Sequence, residues 1–278
     1  MLLNRDGFGI WSSISKRVFQ ATFTKPDTEL INDFKNQITY DSKEIVLYIH
    51  FPFCSSLCLF CPYVRYPLKK FGKEIIPRYV EALKSEIKLY GSLLKDLDFK
   101  IVDVHIGGGT PSLLEPEHFK TLVESIEQNV RVKVNLAIEA NPNDLADQTR
   151  TFKLVDAGID EVSLGVQSFN IKTLKMLGRT HEVSDSIKAI QNLRDAGVKY
   201  VNIDLMYMIP SQPGQPQQSL EDWKVDLLQA SEQPVDEITC YPTLITNYSP
   251  GWRLVSKGKI FQPNKKLFKQ MVYMAEDN

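Results

Sequence analysis

Six short runs rich in Val, Ile, Leu and Tyr recur along this chain: "EIVLYIHF" (44–51), "KIVDVHIGG" (100–108), "VKVNLAIEA" (132–140), "DEVSLGV" (160–166), "KYVNIDLMYMI" (199–209) and "DEITCYPTL" (236–244). Segments of helical periodicity separate them, and this alternation restricts the fold more than any other feature. In "IIPRYVEALKSEIKLYGSLL", Tyr79, Val80, Leu83, Ile87, Tyr90 and Leu94 fall three and four apart, the spacing of one helix face. Further helices fit "EPEHFKTLVESIEQ", "DQTRTFKLVDAG", "SDSIKAIQNLRDAG" and "QSLEDWKVDLLQAS"; two of these stop at Gly158 and Gly197, suited to the left-handed position past a helix end. Repeated β-α alternation means parallel strands with right-handed crossovers, in an open doubly wound sheet or a barrel. Several strand runs are almost continuously apolar, as expected where both faces of a parallel sheet are covered.

The 278 residues are 43% hydrophobic and 24% charged, enough for one large α/β core. A net charge of -1 gives no global field favouring nucleic acid or an anionic membrane. The one basic cluster, "KKFGK" (69–73), reads as a solvated loop. Arg5 and Asp6 interrupt any secretory signal, and no run approaches the roughly 18 apolar residues of a membrane span, so a cytoplasmic protein is expected. Residues 1–43 read as a helical lead-in, 44–245 as the α/β core, and 246–278 as the start of a C-terminal region that looks truncated.

Three of the four cysteines, Cys54, Cys58 and Cys61, lie in "HFPFCSSLCLFCPY", spaced C-x3-C-x2-C. In a reducing compartment such a cluster points to a metal or to catalysis rather than to disulfides. Three readings stand: core packing, a zinc site completed by His50, or three ligands to a four-iron, four-sulfur cluster whose fourth iron stays open. Cys240 reads as a buried strand residue. Other chemistry-bearing residues gather after the strands: the cysteine loop after the first, "GGGTP" (107–111) after the second, and Glu139 and Asn141 at the end of the third. Gln167 and Ser168 end the fourth, Asp204 and Tyr207 lie late in the fifth, and Tyr241 lies late in the sixth. The carboxyl ends of parallel strands are where ligands bind in such folds. Three consecutive glycines fit close approach of a ligand to backbone. Arg179 and His181, in "LGRTH", read as surface loop residues.

Taken together, "YIHFPFC", "CSSLCLFC", "GGGTPSLL", "IEANPNDL", "GVQSFN", "LGRTH" and "VNIDLMYMIP" resemble, in order and spacing, the oxygen-independent coproporphyrinogen III oxidase-like (HemN/HemW-like) family of radical S-adenosylmethionine (SAM) enzymes. The resemblance runs from about residue 44 to about 275. It implies a partial (β/α)6 barrel of the TIM type, with a [4Fe-4S] cluster on Cys54, Cys58 and Cys61. It also implies one SAM molecule, or two, and an electron donor such as flavodoxin or ferredoxin. By the same resemblance Tyr48 and Phe60 line the cluster and cofactor, Gly108, Gly109 and Thr110 receive SAM, and Glu139, Gln167, Arg179 and Asp204 supply polar contacts to it. The three cysteines and Glu139 would then be the catalytic set. Two departures bear on the reaction. Tyr63 stands where coproporphyrinogen oxidases carry a further cysteine, and "MIPSQPGQPQ" replaces the usual "GLPGQ". The expectation is therefore a monomeric enzyme modifying a small molecule or peptide, by methyl transfer as in the class C relatives. A porphyrin-pathway enzyme, a haem chaperone and a zinc-stabilised non-catalytic α/β protein are the alternatives.

Overall fold

A computed structural model describes residues 44–96, 100–130 and 135–276; the expected lead-in at 1–43 lies outside them. Six parallel strands form the main sheet: β1 (Glu44–Phe51), β4 (Lys100–Gly108), β5 (Asn135–Ala140), β6 (Glu161–Gln167), β7 (Tyr200–Tyr207) and β8 (Glu237–Pro242). β2 (Phe53–Cys54) and β3 (Tyr66–Pro67) make a separate two-residue pair. The order β1-β4-β5-β6-β7-β8 follows the chain without reversal. A doubly wound sheet needs a reversal point where helices switch faces; a sheet wound in one direction keeps its helices on one side and curls around the other. The strand order thus decides what periodicity left open, in favour of a partial barrel.

The helices Ile75–Asp96, Pro116–Val130, Gln148–Asp156, Val183–Asp195 and Leu220–Ser231 occupy the expected segments. Ser219 caps the last of these, its hydroxyl accepting from Asp222 N while the Asp222 carboxylate accepts from Ser219 N. A short helix, Ile171–Leu177, was not expected; seven residues carry too little periodicity to show. The outward side chains of the sheet, including Phe51, Val104, Ile106, Leu136, Ile138, Val162, Leu164, Val201, Ile203 and Leu205, form the core beneath the helices. Each such burial contributes about 1.5–3 kcal/mol. Past β8, the helix Phe268–Glu276 packs on Leu220–Ser231, where buried Trp223 donates from Nε1 to Met271 O at 2.9 Å.

The expectation that both sheet faces are apolar is corrected. The pairing registers bring Tyr48 and His50, His105, Glu139, Ser163, Asn202 and Asp204, and Thr239 and Tyr241 to one face. Burial alternates accordingly, most clearly in β1 and β5. Among the described residues no strand pairs β1 to β8, so the concave face is an open polar cleft rather than a filled barrel interior.

Candidate functional site: the cysteine loop and the carboxyl rim

The cysteine loop leaves β1 at the carboxyl rim and is pinned along its length. Gly109 N donates to Phe51 O at 2.7 Å and Thr110 N to Phe53 O at 2.9 Å, so the glycine turn after β4 grips the root of the loop. Leu59 N donates to Leu177 O at 3.0 Å, Gly251 N to Leu59 O at 2.8 Å, and the Ser249 hydroxyl to Phe60 O at 2.8 Å. The Phe60 ring packs with Leu177, Met206 and Ile209. Segments from four parts of the chain therefore fix where the sulfurs stand.

Cys54 is buried, and Cys58 and Cys61 are half-buried; all three are free thiols. Burial pushes the Cys54 thiol up to about 11 and raises Cys61, with mutual repulsion among the sulfurs contributing. Opposing this, each sulfur has a donor: Thr110 for Cys54, the Tyr63 backbone for Cys61, and Arg179 Nη1 at 3.3 Å for Cys58. Hydrogen bonds aimed at the sulfurs are what tune cluster ligands. The donor set therefore fits a cluster whose three sulfurs hold three different irons. Among the described residues no three His, Cys, Asp or Glu side chains converge on one ion. His50, the proposed fourth zinc ligand, has both ring nitrogens occupied, by Tyr48 Oη at 3.1 Å and Val64 O at 2.9 Å.

Arg179 is the largest change from the reading of residues alone, which put it on the surface. Its guanidinium lies within the site, with Nη1 on Cys58 Sγ and Nη2 on Asn141 Oδ1 (2.6 Å) and Gly165 O (3.0 Å). A Cβ on Gly165 would stand 2.8 Å from Gln167 Nε2 and 3.4 Å from Arg179 Nη2, so the bare backbone leaves room chiefly for the Gln167 side chain. Gln167 itself adopts a left-handed φ of 68°, which ends the pairing of β6. His181 is also buried rather than exposed. Its Nε2 donates to Val166 O at 3.1 Å, and burial pushes its pKa down to about 4, leaving the ring neutral.

Glu139 ends β5 in the cleft. Gly108 N donates to its Oε2 at 2.9 Å and His105 Nε2 meets its Oε1 at 3.5 Å. Burial would raise this carboxyl, but the two hydrogen bonds outweigh it and hold the group below the usual range. Gly108, with φ +111°, has no room for a Cβ beside the His50 ring; a Cβ on Gly107 would stand 2.7 Å from Glu139 Oε1. The triple glycine is thus accounted for by protein atoms, whatever ligand it also serves.

Asp204 faces the same cleft and accepts from Asn202 Nδ2 at 3.1 Å and Ser163 Oγ at 3.3 Å; Thr239 in turn donates to Asn202 Oδ1. Burial still pushes its pKa up to about 6. Tyr48, Tyr63 and Tyr241 are 54%, 67% and 48% exposed. Burial of the phenols and the nearby Glu139 charge raise all three, Tyr48 to about 12, so they remain hydroxyl donors.

Two expected rim residues belong elsewhere. Tyr207 is buried on the outer face against Trp223, 5.2 Å between ring centroids, because it shares the parity of Val201 and Leu205. The Ser168 hydroxyl donates to Asp226 under the helices at 2.7 Å. Cys240 is half-buried in β8. Sequence reasoning missed His105, Ser163 and Asn202, although polar residues at every second strand position were a legible signal for an open inner face.

A one-way-wound partial barrel with three cysteines on the loop after its first strand defines a class that binds a cluster and a ligand at the carboxyl rim. The radical SAM superfamily model matches residues 48–222, more than half of the chain, and the chain belongs to that superfamily, in its HemN/HemW-like branch. Heme chaperone HemW of Buchnera aphidicola subsp. Schizaphis graminum is 32% identical over 82% of this chain and 57% of its own length. An oxygen-independent coproporphyrinogen III oxidase of Bradyrhizobium diazoefficiens is 32% identical over 60% of this chain and 36% of its own. Among solved structures, coproporphyrinogen III oxidase (HemN) of Escherichia coli superposes with a TM-score of 0.73 at 22% identity, covering 88% of this chain and 56% of that one. The chain spans about half the length of the curated relatives it matches. Among the described residues no helix is long and apolar enough to cross a membrane.

Proposed function

We propose that this chain is the radical SAM core of a tetrapyrrole-handling protein, with Cys54, Cys58 and Cys61 holding a [4Fe-4S] cluster and SAM bound between it and the polar cleft. When bound, that pair supplies reductive cleavage of the sulfonium carbon–sulfur bond and a 5'-deoxyadenosyl radical. The chain's own residues position and shield. Glu139, ionised and oriented by Gly108 N and His105, presents a carboxylate to a cationic amino group. Arg179 ties Cys58 to β5 and β6 and opposes the negative charge of the sulfurs. Asp204, set by Asn202 and Ser163, presents an acceptor further across the cleft.

The observation that carries the tetrapyrrole reading is that Tyr48, Tyr63 and Tyr241 are exposed aromatic residues near enough to Glu139 for its charge to act on all three phenols. Tyr63 and Tyr241 offer aromatic surface to a flat ligand and neutral hydroxyl donors to its carboxylates, while Tyr48 is held by His50 and stacked on His105. The names of the relatives support it, since they belong to haem chaperones and a coproporphyrinogen oxidase rather than to methyl transfer. The methyl-transfer expectation therefore gives way to what had been its alternative.

Titration with haem, followed by the Soret band, and with SAM under reducing conditions, followed by 5'-deoxyadenosine, tests the reading. Tyr63→Ala together with Tyr241→Ala should weaken haem binding about tenfold, the loss of roughly 1.4 kcal/mol of stacking. Cys58→Ala should abolish SAM cleavage. A protein that gives no saturable spectral change with haem or a porphyrin would sink the tetrapyrrole assignment.

A further inference from the structure

Asn141 stands where a helix cap belongs, and its side chain does something else. It follows β5 and precedes the short helix Pro142–Leu145, whose start an asparagine would ordinarily cap by accepting from a backbone N–H. No such side-chain bond forms. The Ser112 hydroxyl ties down this helix start instead, accepting from Asn141 N at 3.1 Å and donating to Asp144 Oδ2 at 2.7 Å. The Asn141 amide is thereby released from capping.

That amide joins the donors of two sulfurs. Its Oδ1 accepts from Arg179 Nη2 at 2.6 Å, and its Nδ2 donates to Thr110 Oγ1 at 3.3 Å. Arg179 Nη1 donates to Cys58 Sγ, and buried Thr110 is the side-chain donor to Cys54. Since the Thr110 oxygen accepts from Asn141, its own proton is directed to the sulfur. Arg179 Nε is buried without a hydrogen-bond partner among the described residues, so hydrogen bonds pose the guanidinium through its two Nη atoms alone. The bonds run in one direction, from the arginine through the amide and the hydroxyl to Cys54, and in such a chain each donor polarises the next. Cys61, whose donor is the Tyr63 backbone of its own loop, lies outside it.

We propose that Asn141 is a positioning residue for the cluster: its amide holds Arg179 on Cys58 and aims the Thr110 hydroxyl at Cys54, so that one side chain sets the hydrogen bonding of two of the three sulfurs. The inference rests on the functional reading above for the presence of the cluster. Hydrogen bonds to cluster sulfurs stabilise the added negative charge of the reduced state and raise the reduction potential. Removing the amide therefore lowers it.

The test measures the reduction potential of the anaerobically reconstituted chain by dithionite titration followed by electron paramagnetic resonance. Asn141→Leu, close in size and without hydrogen bonds, should disfavour reduction about tenfold, a shift of about 59 mV for one electron. It should also release iron to a chelator about tenfold faster. Ser112→Ala, which loosens the start of Pro142–Leu145 and spares the amide, should lower the melting temperature and leave the potential in place. Thr110→Val should reproduce part of the Asn141→Leu shift, and the double variant should show less than the sum of the two. An unchanged potential in Asn141→Leu, an equal shift in Ser112→Ala or strictly additive shifts would overturn the proposal. Should Asn141→Leu load no cluster, Asn141→Ser, too short to reach both partners, takes its place with the same expectation. A crystal structure of cluster-free Asn141→Leu should show Arg179 Nη1 withdrawn from Cys58 Sγ; an unmoved guanidinium overturns the proposal as well. If wild type assembles no cluster, the functional reading fails, and that crystal structure still decides the role of Asn141.

Discussion

Replacing Gly109 by alanine separates two explanations of the triple glycine. An added Cβ would stand 2.6 Å from Phe53 O, 2.7 Å from Phe51 O and 2.8 Å from Pro52 C. All three are backbone atoms, so no side chain can swing aside. The strand end and the turn must separate, stretching the Gly109 N to Phe51 O and Thr110 N to Phe53 O hydrogen bonds. Overpacking costs about 1–3 kcal/mol, and each weakened hydrogen bond costs about 0.5–1.5 kcal/mol. The sum is roughly 2–6 kcal/mol, and at about 2–4 °C per kcal/mol for a chain of this size the melting temperature should fall by roughly 4–24 °C. Scanning calorimetry of the cluster-free protein reads this directly. Because Phe53 precedes Cys54, the iron retained after anaerobic reconstitution should fall as well. A variant that melts within about 2 °C of wild type and loads iron normally, yet no longer binds SAM, would refute the steric argument and show that the glycine serves the ligand alone.

Three further outcomes are expected. Asp226, 2% exposed, has its pKa raised to about 6 by burial against hydrogen bonds from Ser168 and Phe169. Its stabilising contribution is therefore complete below about pH 4 and lost as pH rises through about 6; relative to wild type, Asp226→Asn should gain about 2–3 kcal/mol between pH 4 and 7. Urea unfolding at four pH values checks this, and a constant difference between the two proteins would contradict it. Arg179→Lys keeps the charge but not the fork joining Cys58, Asn141 and Gly165. Iron per chain should drop and the cluster's absorption decay faster, whereas full retention would make Arg179 dispensable to the loop. Trp223→Phe removes the Nε1 bond to Met271 O, at about 1–2 kcal/mol. Amide exchange in Phe268–Glu276 should accelerate more than in β6 or β7; uniform change would mean the helix is held by other contacts.

Much of this protein was legible before folding was considered. The six strands and five main helices follow from apolar period, and the C-x3-C-x2-C spacing marks Cys54, Cys58 and Cys61, because these signals are local. Strand ends could be located, so Glu139 and Asp204 were already assigned to one rim. What the chain order could not express was winding: only the pairing β1-β4-β5-β6-β7-β8 turns alternating βα units into a partial barrel and leaves its inner face open. That curvature decides which side chains meet. Arg179 reaches Cys58 across 121 residues, and the glycines after β4 hold the loop after β1. Tyr207 turns outward to Trp223 while Asp204, three residues earlier, turns inward. Local sequence determines the elements and the reactive sulfurs; long-range pairing, which depends on how the sheet closes its curve, decides which charges and hydrogen bonds surround them.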